Sequence, residues 1–183
     1  MPRIQPAANP DAKSQELLTK VKEMMGSTPN VFTTMANSSA TLGVFVGAIG
    51  ALQDSKLTPE LKEQIAVAVA GANSCNYCAS AHTALGKDKK ISETELAMNL
   101  QAKSDDAKTQ AALTFARKIV ELRGNVSDTD LAEIRAAGFN DGEVIDILTV
   151  TCVNIFSNYF NHLAETKIDF PVVTTGSVEK AAA

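Results

Sequence analysis

Two of the three cysteines and one of the two histidines of this chain lie within residues 75–82. Cys75 and Cys78 are three positions apart, and His82 follows Cys78 by four positions. Together they provide a nucleophile, a second thiol that can close a disulfide, and a base. The segment therefore indicates redox chemistry, metal binding or the packing of two small apolar side chains.

Helical spacing would bring these side chains onto one face. If Asn73 or Ser74 caps a helix, both cysteines lie in its first turns, where side chains at i and i+3 meet and can form a disulfide. The free N–H groups and the positive dipole end of a helix N-terminus favour a thiolate. His82 lies one turn beyond Cys78, where it can accept the thiol proton.

The helix that precedes this segment carries Glu63. If the two helices form an antiparallel hairpin that turns near Asn73, residue 63 lies opposite residue 83 and therefore beside His82. A carboxylate in that place orients the imidazole, fixes its tautomer and stabilises its charged form. We therefore predict a proton relay made of Glu63, His82, Cys78 and Cys75.

Length, charge and cysteine content limit the classes of protein to which this chain can belong. With 183 residues, the chain is long enough for one domain with a real core, without disulfide staples. A net charge of −4 with no Lys/Arg cluster argues against nucleic acid and anionic membranes as partners. There is no apolar run of about 18 residues and no segment typical of a signal peptide. The few cysteines indicate a reducing, cytoplasmic compartment, where a Cys-X-X-Cys pair is catalytic or binds metal.

Helix signals dominate the chain, and no alternation of β-branched residues predicts a strand. Capping residues, first-turn prolines and terminal glycines divide it, and capping boxes are predicted at 92–95 and 140–143. We expect one all-helical unit: a segment 1–37 that packs on a domain 38–166, then an extended or partly disordered tail 167–183. The predicted helices span about 10–25, 28–35, 42–54, 58–72, 74–86, 92–103, 104–124, 127–138 and 140–166.

Glu63, Cys75, Cys78 and His82 stand in a pattern that resembles the active site of the AhpD-like alkylhydroperoxidases, which belong to the carboxymuconolactone decarboxylase superfamily. The residues around Cys75 to His82 are similar to that family's signature, and residues 154–161 resemble its peroxidase-related branch. The resemblance implies an all-α, AhpD-like helical bundle with the Cys-X-X-Cys at the N-terminus of a core helix. It also implies a homo-oligomer, a trimer or a hexamer, that works without a metal or another cofactor.

The resemblance also implies roles. Cys78 is the thiol activated by His82, Cys75 is its disulfide partner, and Glu63 is the upstream acid. The implied function is antioxidant reduction of alkyl hydroperoxides, with the disulfide reduced again by an external dithiol protein of the lipoyl or thioredoxin type. Some members carry a second histidine inside the motif, where this chain has Tyr77, so that a hydroxyl or only a packing ring stands there.

Three other interpretations stay open. The first is a redox-responsive oligomeric scaffold without significant turnover, and the second is a lactone decarboxylase, although decarboxylating members generally lack the cysteine pair. The third is a zinc site in which Cys152 or His162 joins the cysteine pair and His82. On their own, Cys152 is predicted to be a core thiol amid apolar residues, and His162 to have a helix-dipole or interface role near the end of the last helix.

Overall fold

The computed structural model describes residues 1–176, and the regular structure in that range is entirely helical. The all-α prediction is therefore confirmed. A 3-10 turn at Leu52–Asp54 follows the third helix, and none of the helices within residues 1–176 is long and apolar enough to cross a membrane. The helices are α1 (Ala12–Met25), α2 (Asn30–Met35), α3 (Ser39–Ala51), α4 (Pro59–Ala72), α5 (Asn76–Asp88), α6 (Glu93–Asn99), α7 (Ala107–Glu121), α8 (Asp128–Ala136) and α9 (Asp141–Ala164).

Local signals explain most helix ends. Ser127 with Asp130 and Asn140 with Glu143 form reciprocal capping boxes at the starts of α8 and α9, so two otherwise unpaired N–H groups are satisfied at each. Gly26 ends α1 in the left-handed conformation, with φ of 73°, which glycine adopts without steric cost.

Several predicted boundaries are wrong. Helix α3 begins at Ser39 instead of residue 42, and α7 ends at Glu121 instead of residue 124. The helix predicted over 92–103 ends at Asn99, and the next helix begins at Ala107 instead of residue 104. Asp106 caps α7 by accepting a hydrogen bond from the backbone N–H of residue 109. The predicted start, Ser104, is instead tied by its hydroxyl to a carboxylate of α6.

That carboxylate is Glu95, and it explains why the capping box predicted at 92–95 is only half formed. The hydroxyl of Ser92 accepts from the backbone N–H of Glu95, as predicted. The Glu95 carboxylate does not return to Ser92; one of its oxygens accepts from Gln64 (3.0 Å), Asn99 (2.9 Å) and Ser104 (2.5 Å). The side chain that should close the cap therefore joins α6 to α4 and to the following loop.

Helix α4 is the centre of the bundle. Each residue from 64 to 70 is buried, so the helix is covered on all sides and not along a single stripe. It packs against α5, α6, α7 and α9. A residue on α4 therefore has little freedom to move, which matters for the glutamate at position 63.

The core has two parts. One lies between α4, α7, α8 and α9 and contains residues such as Ile65, Leu113 and Ile147. The other joins α1, α2 and α3 to α5, and the cysteine pair belongs to it together with Val21 and Phe32. The first helices of the chain thus pack on the helix that carries the cysteines.

Between residues 165 and 176 the chain has no regular structure and runs along α5. The backbone N–H of Val173 donates to the hydroxyl of Ser80 at 2.9 Å, and the ring of Phe170 meets the ring of Tyr77 edge-on. We call residues 165–176 the C-terminal segment. The rest of the tail predicted over 167–183, from residue 177 onward, lies outside the described residues.

Candidate active site

A tight turn of three residues separates α4 from α5 and sets the position of the cysteines. Ser74 is in the left-handed conformation, with φ of 56°, and Cys75 is the N-cap of α5. The predicted cap at Asn73 or Ser74 is therefore wrong. Asn73 instead ends α4, and its side-chain amide donates to Asn158 on α9 at 2.9 Å.

The two cysteines are adjacent and buried. Their sulfurs lie at disulfide-bonding distance, with the Cα atoms 5.3 Å apart. Cys75 is 1% exposed and Cys78 is 2% exposed. The backbone N–H of Cys78 donates to the sulfur of Cys75 at 3.3 Å, which is the N-cap hydrogen bond of α5. One of the free N–H groups in the first turn of the helix thus donates to sulfur, where it favours a negative charge.

The helical hairpin of α4 and α5 places Glu63 against His82. Nδ1 of the imidazole and Oε2 of the carboxylate are 2.8 Å apart, and the two side chains are 23% and 19% exposed. Because a carboxylate only accepts hydrogen bonds, Nδ1 carries the proton, and Nε2 is the nitrogen left for proton transfer. The ring is therefore oriented and its tautomer fixed.

The structure thus holds the four predicted residues as two pairs. Cys75 contacts Cys78, and Glu63 contacts His82, but among the described residues no hydrogen bond joins the imidazole to either sulfur. This agrees with the oxidised state of the sulfurs, which have no proton to donate in a disulfide. One helical turn separates Cys78 from His82 along α5.

Asn161, a residue that the sequence analysis did not select, contacts the cysteine pair. Its side-chain Nδ2 donates to the sulfur of Cys78 at 3.3 Å, and the side chain is buried. It lies on α9 with Asn154 and Asn158, at spacings of four and three, so the three buried amides share one face of an otherwise apolar helix. A polar stripe on the buried face of a helix is the signal that would have found it.

Tyr77 lies inside the Cys-X-X-Cys motif, but its hydroxyl contacts neither the cysteines nor the Glu63–His82 pair. Its hydroxyl donates to Asp169 at 2.8 Å and accepts from the backbone N–H of Val31 at 3.1 Å. Burial raises the pKa of Tyr77 far above its usual range, and the hydrogen bond to Asp169 acts in the same direction. The hydroxyl therefore stays neutral and joins α5 to both ends of the chain, outside the Glu63–His82 pair.

The family assignment follows from this site and from two comparisons. The family model described as the carboxymuconolactone decarboxylase family matches residues 42–121, which include all four predicted site residues. A structure described as the alkylhydroperoxidase AhpD core, an uncharacterized peroxidase-related protein from Ralstonia eutropha JMP134, is 27% identical with a TM-score of 0.79. It covers 87% of this chain, and the match spans 86% of that chain. Residues 42–121 thus belong to the carboxymuconolactone decarboxylase family, and the chain shares the fold of the AhpD-like members of that superfamily.

Other solved structures share the AhpD-like fold. An uncharacterized peroxidase-related protein from Silicibacter sp. TM1040 is 25% identical, with a TM-score of 0.79 over 90% of this chain and 89% of that chain. The debrominase Bmp8, solved with 2,3,4-tribromopyrrole, is 19% identical with a TM-score of 0.77 and 91% coverage of both chains. At that identity the likeness concerns the fold alone. A comparison with proteins of curated function found no match.

The remaining thiol and histidine lie outside this AhpD-like site. Cys152 is exposed, so its predicted core position is wrong, because α9 turns residues 150, 151 and 154 toward the core and leaves 152 outside. His162 is exposed in the last turn of α9. Within residues 1–176, no group of three or more His, Cys, Asp or Glu side chains is arranged to hold a metal ion.

Proposed function

We propose that this protein is a thiol-dependent hydroperoxide reductase that uses Cys78 and Cys75 with a Glu63–His82 proton relay. One observation supports this above the others: a cysteine pair at disulfide-bonding distance lies one helical turn from an imidazole whose second nitrogen is held by a carboxylate. The cysteine pair can store two electrons, and the imidazole with its carboxylate can transfer one proton. Peroxide reduction by a dithiol requires both.

The proposed reaction begins with the reduced cysteines. Nε2 of His82 takes the proton of the Cys78 thiol, and Glu63 stabilises the imidazolium. The thiolate attacks the hydroxyl-bearing oxygen of R–O–O–H, so that an S–O bond forms and the O–O bond breaks. The leaving RO⁻ takes the proton back from His82 and departs as the alcohol, or as water when the substrate is hydrogen peroxide. Cys78 is now a sulfenic acid.

The second half of the cycle closes and reopens the disulfide. The Cys75 thiol attacks the sulfenic sulfur, and water leaves with the thiol proton and the hydroxyl group. An external dithiol then reduces the disulfide by two exchange steps and is itself oxidised to a disulfide. We propose a lipoyl-type or thioredoxin-type protein for this step, in the cytoplasm, where such reductants keep thiols reduced. The role would be antioxidant defence.

The experiment is a peroxidase assay with purified protein, an organic hydroperoxide and a supplied dithiol such as dihydrolipoamide. We expect Cys78→Ser to abolish turnover and His82→Ala to lower kcat/KM by about 100-fold or more, the usual range for a general base. Glu63→Gln should lower kcat/KM less, since the imidazole remains. Cys152→Ser is the matched control: it removes a thiol that the structure places outside the site, and its activity should equal that of the wild type.

A lack of peroxide consumption with every dithiol tested, together with an unchanged free thiol count after peroxide, would contradict the proposal. Stoichiometric thiol loss without turnover would instead favour the second candidate, a redox-responsive scaffold. The burial of both cysteines is the observation that favours that candidate, because a buried pair is hard for a protein reductant to reach. It predicts a change in assembly state on oxidation, measured by light scattering. The cysteine pair at disulfide-bonding distance argues against the lactone decarboxylase interpretation, which the resemblance links to members without such a pair.

A further inference from the structure

We propose that Asn161 is a further residue of the active site, whose amide donates a hydrogen bond to the reacting sulfur of Cys78 and accepts one from the hydroperoxide. The inference rests on the proposed function, because it takes Cys78 as the attacking thiol. It assigns a role to a residue outside the Cys-X-X-Cys motif and on another helix, α9. It also describes the ligand chemically, as a small molecule with an O–H group that can donate.

The first observation is the contact with sulfur. Asn161 Nδ2 lies 3.3 Å from the sulfur of Cys78, at the usual length for a hydrogen bond to sulfur. Cys78 has almost no exposure to water, and its own backbone N–H is directed to Cys75. A thiolate that is buried in this way needs a donor from the protein, because a buried charge without one is strongly disfavoured. Among residues 1–176, the amide of Asn161 is the side-chain donor placed on that sulfur.

The second observation is an unsatisfied acceptor. The other end of the same amide, Oδ1 of Asn161, is buried and has no hydrogen-bond partner among residues 1–176. Buried polar atoms are nearly always paired in folded proteins, so an exception next to a reactive sulfur indicates a place for a ligand. An O–H group of a hydroperoxide would satisfy this acceptor. Its oxygen would then lie beside the sulfur that attacks it.

The third observation is that α9 is tied to the turn beside the cysteines. One turn before Asn161, the side-chain oxygen of Asn158 accepts from Asn73 at 2.9 Å, which ties α9 to the turn directly before Cys75. The side-chain nitrogen of Asn158 is a second buried atom with no partner among the described residues. The two unpaired atoms, a donor and an acceptor, lie three residues apart on one helix face, and a hydroperoxide offers both an acceptor and a donor.

This arrangement is consistent with the chemistry of the first step. Nδ2 stabilises the negative charge on sulfur before the attack, and a hydrogen bond to an ion is stronger than one between neutral groups. Oδ1 holds the O–H group, which keeps its proton as the oxygen passes to sulfur. The proton that the leaving RO⁻ needs still comes from His82. Asn161 therefore neither gains nor loses a proton in the step.

The test begins with a variant that isolates Cys78. The chain has three cysteines, so the double substitution Cys75→Ser and Cys152→Ser leaves one thiol. The rate of its alkylation by iodoacetamide is measured against pH, alone and with Asn161→Ala or Asn161→Leu. We expect the pH midpoint to rise by about one unit or more when the amide is lost, since a tenfold loss of thiolate stabilisation is one unit. Asn161→Leu is close to isosteric and serves if the alanine variant does not fold.

The matched control is Asn154→Ala in the same background. Asn154 lies on the same face of the same helix and is also buried, but its amide donates to the carbonyl oxygen of Val150. The midpoint should stay at the value of the background protein. If both Asn161 variants keep that midpoint, or if Asn154→Ala shifts it as much, the contact with sulfur has no chemical role and the inference is wrong.

The acceptor is tested separately, by the rate of sulfenic acid formation with tert-butyl hydroperoxide at a pH above all midpoints. There Cys78 is fully a thiolate in every variant, so a slower reaction in Asn161→Leu reports on peroxide binding. We expect a decrease of about tenfold. An unchanged rate overturns the acceptor role. Failure of the proposed function is distinguishable, because the wild type would then not react with the peroxide even though the alkylation midpoint still depends on Asn161.

Discussion

The tyrosine inside the Cys-X-X-Cys motif links the site to both ends of the chain. Its hydroxyl accepts from Val31 on α2 and donates to Asp169 in the C-terminal segment, whereas the neighbouring cysteines contact each other and Asn161. Asp169 also accepts from the backbone N–H at the start of α2, at 2.8 Å. One hydroxyl and one carboxylate thus hold three separate parts of the sequence around the first turn of α5.

Loss of that hydroxyl should destabilise the fold. In Tyr77→Phe the buried N–H of Val31 loses its acceptor, and we expect the free energy of unfolding to fall by about 1–3 kcal/mol, the cost of an unsatisfied buried group. Urea unfolding followed by circular dichroism measures this. The chain's only other tyrosine, Tyr159, is exposed in a single chain, and Tyr159→Phe keeps its ring. This variant is the matched control and should be nearly neutral, whether or not another chain covers that face. Equal stability of Tyr77→Phe and wild type would mean that the two hydrogen bonds contribute nothing net.

At the residue scale, the sequence predicts contacts between residues on two helices that are joined by a short turn. It does not predict contacts between residues that are far apart in the sequence. Glu63 and His82 are nineteen positions apart on two helices joined by a tight turn, so their register follows from helical spacing. Asn161 lies 83 positions beyond Cys78, and no local pattern fixes which turn of α9 meets the cysteines. The same holds for Asp169 and Tyr77, which are 92 positions apart.

At the element scale, the helices end where local caps predict, except where another element uses the capping side chain. Asn140 and Ser127 cap α9 and α8 as their sequence patterns indicate. Asn73 does not cap α5, because it still ends α4 in a helical conformation and donates its amide to Asn158 on α9. Glu95 does not complete a box, because α4 and the loop after α6 donate to its carboxylate. These partners are far away in sequence, so the local signals could not show that the side chains were already engaged.

The contact between α4 and the end of α6 permits no side chain at Gly71. A Cβ at that position would collide with the carbonyl oxygen of Leu100 and lie 2.8 Å from its carbonyl carbon. The obstacle is backbone, which cannot rotate away as a side chain can. This close approach keeps α6 on α4, the helix that carries Glu63.

We therefore expect Gly71→Ala to lower the free energy of unfolding by about 3 kcal/mol, at the upper end of the usual cost of overpacking. The matched control is Gly47→Ala on α3, where an added Cβ meets no atom within 4 Å. There the better helix propensity of alanine should raise stability by about 0.5–1 kcal/mol. Both are measured by urea unfolding. Equal effects of the two substitutions would show that α6 moves aside without cost.

At the scale of the whole molecule, α9 is apolar on two faces. The inner face packs on α4 and α7, as the apolar pattern of this long helix predicts. The outer face carries a second apolar row, in two groups whose members are three or four residues apart and which are separated by one interval of eight residues. Such a row on the surface of a small domain indicates a surface that another protein covers. We call these residues the α9 outer row: Ile145, Leu148, Phe156, Tyr159 and Leu163.

The α9 outer row is expected to be the contact surface of a homo-oligomer. We expect light scattering to give a mass of three or six times the 19.3 kDa of one chain, because the family resemblance implies a trimer or a hexamer. Leu148→Glu combined with Leu163→Glu should give a species of 19.3 kDa, because a charge buried at each contact without a partner is strongly unfavourable. Met24→Glu replaces an exposed apolar residue on α1, outside the row, and should leave the mass unchanged.

A wild-type mass of a single chain would contradict the expectation, and so would a double variant that keeps the wild-type mass. Because Asn161 lies on the inner face of the same helix, a monomeric variant that keeps the wild-type pH midpoint of Cys78 alkylation would show that the cysteine site is complete within one chain.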